Sequence, residues 1–503
     1  MPSKGKVIIN LNQTIGTINP AVYGHFIEHL GRCIYPGIWV GENSETPNDK
    51  GLRRDVVEAL GRISLPVMRW PGGCFADHYH WGDGVGPRGH RPVRVNITWG
   101  GEEPNAFGTD EFLYFCSRVG AEPYICLNVG SGSVSEASSW VEYCNYAGSS
   151  SYAQLRAEHG VKKPHHVRYW GVGNENWGCG GDFDPVYYAW EYRRYACFLK
   201  RVDPSIQLIA CGHTTRDWNL RFMECLKDHI HLVDHLSIHH YFGGHGGDID
   251  FTDEQYYSLL GSVQDLEYQL QQAIAVVDFF AEGRKDIGII VDEWGTWYPQ
   301  ATVEKGLFQQ NTVRDAILAA SVLNLFNNYS RKVAMANLAQ TVNVLQSLIL
   351  TEGSQTVLTP TYHVFDMYKA HMGNTALAVD VDSPTIMELR PPTQRRARAQ
   401  RVKKPMQALD ISASLRRGEN QLVLTLVNQH LTEEVETDIV LEGNLTVEKG
   451  EVTVLTAENV RAHNDFNAFN RVKPKHEGIE VSGKTFTYTA PAHSVNTLVI
   501  RLK

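Results

Sequence analysis

Between residues 20 and 375 the sequence alternates between short apolar runs and stretches with helical periodicity. Few architectures accept that pattern over such a length. The apolar runs lie at 21–27, 66–70, 122–129, 166–173, 206–212, 232–240, 286–293 and 332–340. They are too short for buried helices and read as strands buried on both faces. Helical patterns separate them at 51–63, 109–119, 184–202, 254–282, 311–328 and 362–371. Thr109 and Asp110 can cap one of these, and Asp184 followed by Pro185 gives another an N-cap with a first-turn proline. Strands alternating with helices build a parallel sheet, and eight such units close it. The spacing therefore predicts an α/β fold whose catalytic part, residues 19–375, is a (β/α)8 TIM barrel.

The pattern changes near residue 376. Short alternating strands follow at 422–427, 435–441, 451–455, 485–489 and 495–502, separated by Gly and Asn turns. They predict an all-β, jelly-roll-like sandwich over 376–503. The opening segment, 1–18, holds the apolar strand KVIINL with no helix after it. It is expected to pair far away in sequence and to complete that sandwich. Residues 390–404 form a basic run without an acid, read as a solvated loop.

Composition removes several functional classes. The net charge of -9 and pI of about 6.2 give no basic surface for nucleic acid or an anionic membrane. The N-terminus has no signal-peptide core and no run is long enough to span a bilayer, so a cytoplasmic location is expected. Nine cysteines lie between Cys33 and Cys225. The odd count and uneven spacing favour free thiols in a reducing compartment, with a question left over Cys179 and Cys74.

Two strand ends carry the chemistry. In HHVRYWGVGNENWG (165–178), Glu175 stands between Asn174 and Asn176 with Trp177 beside it. In KDIGIIVDEWGTWY (285–298), Glu293 follows Asp292 and precedes Trp294. Eight units over roughly 350 residues take about 44 each, so the two glutamates stand about three units apart, on the fourth and seventh strands. Both then occupy the C-terminal rim, where barrel enzymes work. Two carboxylates there suit glycoside hydrolysis, one attacking the anomeric carbon and one protonating the leaving oxygen. Apolar contact from Trp177 is expected to raise the pKa of Glu175, and Glu293 needs a cationic or phenolic partner to stay charged. Arg69, at the end of the second strand, can supply a bidentate contact. Further candidates are His239, His240 and Tyr241 on the sixth strand and His25, Glu28 and His29 on the first. The histidines at 229, 231, 235, 239, 240 and 245 could suggest a metallohydrolase, but their spacing matches no ligand signature.

The motifs GHFIEHLGRCIY, RWPGGCFAD, YHWGDGVGPR, WGVGNENWGCGG, DEWGTWY and MANLAQTVNVLQSLILTEG together resemble glycoside hydrolase family 51, and its α-L-arabinofuranosidases most closely. The resemblance spans nearly the whole chain. It implies a barrel with a β-sandwich built from both termini. It implies removal of terminal α-L-arabinofuranosyl groups with retention, without cofactor or metal. The substrates would be arabinose-containing oligosaccharides or polysaccharides, derived from arabinoxylan or arabinan. Family members are often homo-oligomers, many of them hexamers. By the same resemblance Glu175 is the acid/base and Glu293 the nucleophile. Glu28 and Gln340 contact the sugar, and Asn174 its 2-hydroxyl. Arg69, His239 and Tyr241 orient the nucleophile, and Trp99 and Trp297 line the furanose pocket. Many relatives have Asn where this chain has Cys74, so Cys74 is expected as a small pocket-wall residue without an amide contact. The rival activity on the same scaffold is an endo-β-1,4-glucanase or xylanase, which needs an open cleft. A silent sugar-binding barrel would not need both glutamates.

Overall fold

The computed structural model describes residues 3–387 and 404–503. Strand β1 (Ser3–Thr17) stands outside the barrel. The barrel strands are β2 (Gly24–Phe26), β3 (Val67–Trp70), β4 (Glu122–Leu127), β5 (Tyr169–Val172), β6 (Gln207–Ala210), β7 (His235–Phe242), β8 (Gly288–Thr296) and β9 (Val333–Leu338). They pair in parallel in chain order, and β9 returns to β2 to close the ring. A helix follows each: α1 (Arg54–Arg62), α2 (Thr109–Val119), α3 (Val134–Asn145), α4 (Pro185–Val202), α5 (Arg216–Leu226), α6 (Val263–Ala281), α7 (Val313–Asn328) and α8 (Pro360–Tyr368). The barrel is filled below its mouth by Val67, Tyr124, Ile209, Ile290 and Met335, so its chemistry is confined to the rim.

The structure departs from the expected boundaries for local reasons. Residues Pro20–Tyr23 form a 3-10 turn capped by Asn19, and only Gly24–Phe26 pair as strand. The 254–282 helix breaks at Ser262 into Asp253–Gly261 and α6. The structure adds helices α3, Ser151–Glu158 and α5 to those expected. In α3 the polar sequence VSEASSWVEYCN is started by the Ser133 hydroxyl, which accepts from the Glu136 N–H.

The C-terminal strands are β10 (Thr375–Asp382), β11 (Leu409–Arg416), β12 (Gln421–Asn428), β13 (Val435–Glu442), β14 (Val447–Leu455), β15 (Lys475–Ile479), β16 (Thr485–Ala490) and β17 (Ser494–Leu502). With β1 they form one nine-stranded sheet in the order β15-β14-β17-β12-β11-β10-β1-β13-β16. Hydrogen bonding thus runs unbroken through strands expected in two layers. β1 lies inside this sheet, antiparallel to β10 and parallel to β13, with Val7 opposite Val381 and Ile439. Alternation in β1 buries Val7, Ile9 and Leu11 in a core shared with Leu377, Leu424, Ile439 and Leu498.

The sheet docks on the barrel through α7. Asn324, Asn327 and Asn328 donate to Asp410 Oδ1 (2.7 Å), Ser412 Oγ (3.0 Å) and the Ile411 carbonyl (3.1 Å) on β11. Buried His371 adds hydrogen bonds to Ser414 and Thr425, both at 2.8 Å. The basic run at 390–404 lies outside the described residues except for Lys404.

Because Ile9 is fully buried in β1, Ile9→Ala should cost about 2–5 kcal/mol of stability. Lys6→Ala, on the exposed face of the same strand, should stay within about 0.5 kcal/mol. Urea unfolding of both variants checks this; equal effects would mean that β1 contributes no core face.

Candidate active site

Glu293 lies on β8 at an irregularity in the ladder. Val291 pairs with Ile238, but Glu293 pairs with His239, so Asp292 is the extra residue of a bulge. The bulge lets two consecutive carboxylates reach the same guanidinium. Arg69, fully buried at the end of β3, donates from Nη1 to Glu293 Oε1 (2.8 Å) and from Nη2 to Asn174 Oδ1 (2.5 Å). Its Nε stands 3.5 Å from Asp292 Oδ1. The contact with Glu293 is therefore single, not the expected bidentate one, because the second arm serves Asn174. Asp292 in turn accepts from the Tyr124 hydroxyl (2.7 Å) and Asn337 Nδ2 (2.9 Å).

The other Glu293 oxygen accepts from the Tyr241 hydroxyl at 2.7 Å. His239 Nδ1 stands 3.6 Å from that oxygen and 2.8 Å from Glu175 Oε1. Burial pushes the Glu293 carboxyl up, but His239, Arg69 and Tyr241 outweigh it and hold the group below the usual carboxylate range. Burial likewise disfavours the His239 cation, yet Glu293 and Glu175 raise its pKa above the ordinary value. A carboxylate oxygen of Glu175 and one of Glu293 lie within 4.8 Å of each other.

Glu175 sits three residues beyond β5 in a tight turn, with a left-handed φ of 42°. The turn closes on itself through Gly178 N–H and Gly180 N–H, both donating to the Glu175 carbonyl. Gly180 is required there: a Cβ would stand 2.0 Å from the Asn174 carbonyl oxygen. Trp177 does not supply the expected apolar wall as its main contact. Its indole N–H donates to the Gly212 carbonyl (3.0 Å), and its ring meets His213. The Glu175 carboxylate lies instead against Cys179 Sγ (3.6 Å) and Cys74 Sγ (3.9 Å).

Those two sulfurs form a disulfide, which corrects the expectation of free thiols. A disulfide sulfur has no proton to give, so its contacts with Glu175 are packing contacts. Cys74 is still a wall of the site, but a covalently braced one. The other seven cysteines are free.

Glu28 reaches the site from the loop after β2. It accepts from the Phe75 N–H, Trp99 Nε1 and Gln340 Nε2, each at 2.9 Å. Burial, reinforced by repulsion from Glu293, pushes its carboxyl up to about 7. The two glycines before Cys74 make this crowding possible. A Cβ on Gly72 would stand 2.7 Å from Glu28 Cγ, and one on Gly73 would stand 2.7 Å from Glu293 Oε1. Trp297 meets the Tyr241 ring edge-on at 5.2 Å.

Glu28, Arg69, Asn174, Glu175, His239, Tyr241, Glu293 and Gln340, with Cys74, Trp99 and Trp297 against them, thus lie together at the rim. Other candidates fall away. His25 packs on Phe365, and burial lowers its pKa to about 3. His29 bridges Glu103 (2.7 Å) and the Trp70 indole (3.0 Å). Of the six clustered histidines, only His239 belongs to a potential ligand group among the described residues, and that group is the pair of glutamates itself. Two further buried acids belong to the network, Asp77 and the inward-facing Asp292, which the sequence marks with no role. Asp77 stands in RWPGGCFAD, but nothing in its spacing reveals which loops it meets.

A closed parallel barrel with two carboxylates set unequally at its mouth defines a glycoside hydrolase. Two family models match: the α-L-arabinofuranosidase 1 domain over residues 59–255 and the α-L-arabinofuranosidase C-terminal domain over 292–494. An intracellular exo-α-L-arabinofuranosidase of Bacteroides ovatus is 40% identical, with 98% of this chain and 95% of that protein aligned. The crystal structure of the GH51 arabinofuranosidase of Xanthomonas axonopodis pv. citri superposes with a TM-score of 0.90 at 35% identity, covering 99% of this chain and 100% of that one. The α-L-arabinofuranosidase of Thermotoga maritima, solved with arabinose, gives 0.87 at 35% identity, covering 99% of each. The chain belongs to the α-L-arabinofuranosidases of glycoside hydrolase family 51.

Alkylation under denaturing, non-reducing conditions should label seven cysteines, and all nine after reduction. Peptide mass spectrometry should find Cys74 and Cys179 linked; nine labelled thiols without reductant would remove the disulfide from the site.

Proposed function

We propose that this enzyme removes terminal non-reducing α-L-arabinofuranosyl groups from arabinoxylan- and arabinan-derived oligosaccharides by double displacement with retention. The observation that carries the reading is the unequal pair, Glu293 and Glu175, with oxygens within 4.8 Å. That spacing fits a retaining pair at about 5–5.5 Å and leaves no room for the water that an inverting pair admits at about 6.5–9.5 Å.

The surroundings divide the roles. Glu293 is 5% exposed and is held ionised by His239, Arg69 and Tyr241, as a nucleophile must be. Its carboxylate attacks the anomeric carbon. Glu175 has a side chain 19% exposed and no arginine, so it is the group that gives a proton to the departing oxygen and later takes one from water. His239 stands between them and compensates the charge on either as the proton moves. Glu28 and Gln340 bind sugar hydroxyls. Asn174 is fixed by Arg69 so that its Nδ2 faces the 2-hydroxyl, a contact that strengthens in the transition state. Cys74, Trp99 and Trp297 wall the ring.

We assign this chemistry to residues 19–375, with 1–18 and 376–503 as the supporting domain. We also propose a homo-oligomeric enzyme that works in the cytoplasm without a metal. Seven free cysteines accord with a reducing compartment, and the bonded pair Cys74 and Cys179 does not. Among the described residues no helix is long and apolar enough to cross a membrane. Multi-angle light scattering and cell fractionation test these two points.

Glu293→Ala should abolish turnover. Glu175→Ala should lose about 10²–10⁴-fold in kcat/KM on alkyl arabinofuranosides and far less in kcat/KM on activated aryl ones. The anomer first released, read by NMR, should be α. A β product would sink the retaining mechanism, and cleavage of unbranched xylan or β-glucan in preference to arabinosides would replace the pocket enzyme by an endo-glycanase.

The pH profile gives a separate check. Tyr241→Phe removes a donor that favours the charged form of Glu293, so the Glu293 pKa rises. Less nucleophile is then ionised in acid, and the acidic limb of kcat/KM moves to higher pH. An unmoved acidic limb would detach Glu293 from that limb.

A further inference from the structure

Asp77 is a buried acid that the reaction above does not use. It lies in the short 3-10 turn Cys74–His78 after β3, and it is 4% exposed. Its Oδ1 accepts from the N–H groups of Val129 (3.0 Å) and Gly130 (2.8 Å) and from Asn176 Nδ2 (3.2 Å). Its Oδ2 accepts from the Asn174 N–H (2.8 Å). One carboxylate therefore joins the loops that follow β3, β4 and β5. No ion pair is made by Asp77 among the described residues.

A buried carboxylate without a cation is costly, and burial pushes this one up to about 7 against four opposing hydrogen bonds. An asparagine would be cheaper to bury but would present an N–H to at least one of the N–H donors. Such a cost is expected where geometry matters more than stability. What the geometry serves is clear from the neighbours. Asn174 precedes Glu175, whose left-handed φ must be imposed by its surroundings. Asn176 follows it and donates also to the Gly180 carbonyl (2.7 Å), closing the turn. The Cys74–Cys179 disulfide joins the same two loops on the side where the Glu175 carboxylate lies.

We propose that Asp77 is a positioning residue that holds the Asn174–Asn176 turn so that Glu175 meets the departing oxygen. The inference rests on Glu175 being the proton donor. A displaced Glu175 harms protonation of the leaving group in the first step and activation of water in the second, but kcat/KM reports the first step alone. Misplacement by about 1 Å costs roughly 100-fold.

The test compares Asp77→Asn, Asn176→Ala and Glu175→Ala on two substrates. One is an alkyl α-L-arabinofuranoside, the other its 2,4-dinitrophenyl counterpart, whose leaving group needs no proton. Asp77→Asn should lose roughly 100-fold in kcat/KM on the alkyl substrate and little in kcat/KM on the aryl one, whose first step needs no proton. Asn176→Ala should show the same selectivity to a smaller degree, and it carries the test if Asp77→Asn does not fold. Equal losses on both substrates, or no loss on either, would overturn the role of Asp77. If Glu175→Ala itself lacks the selectivity, the assignment of Glu175 fails first, which is a distinct result.

Discussion

The site is built around one buried cation. Arg69 has no exposed surface and is packed against the Phe26 and Tyr124 rings, 4.7 and 5.8 Å from their centroids. Its guanidinium contacts Glu293, Asp292 and Asn174, and so binds β3, β8 and the loop after β5 in one cluster. A buried charge is tolerable only when its partners satisfy it, and removing one member typically costs about 3–5 kcal/mol. The carboxylates keep Arg69 in place, and Arg69, with His239, keeps Glu293 charged. The glycines at 72 and 73 let the next loop close over this cluster.

Much of this was legible from residue order. A barrel strand is an apolar run with a polar end, and all eight were read because burial on both faces leaves that signature. The same logic put Glu175 and Glu293 on the rim. The polar helix α3 escaped because its stability comes from a cap and from packing, not from a strong periodic face. Strand β15 carries no signal for a related reason: Lys475–Ile479 is mostly exposed and has no apolar alternation to detect. What linear order cannot carry is pairing between loops. The division of Arg69 between Glu293 and Asn174, the Cys74–Cys179 bond and the reach of Asp77 to two other loops all depend on where rim segments meet.

The bulge in β8 shows how a small irregularity changes chemistry. In regular strand Asp292 and Glu293 would point to opposite sides. With the extra residue both face the interior, one toward Tyr124 and Asn337, the other toward the mouth. The lower carboxylate anchors the arginine from beneath, which leaves the upper one a single strong donor from Arg69 and a free approach from above. The disulfide acts from the opposite wall, bracing the turn that carries Glu175.

The position of β1 has a consequence for how the molecule is made. Residues Ser3–Thr17 are synthesised well before their partners β10 and β13, which begin at Thr375 and Val435. At about 5–20 residues per second, that apolar strand waits on the order of 20–90 s for its neighbours. The barrel can assemble in the interval, but the sheet that docks on α7 cannot. Until then both edges of β1 lack their partners, so in this fold the early strand, not the late ones, is the edge open to pairing with another chain.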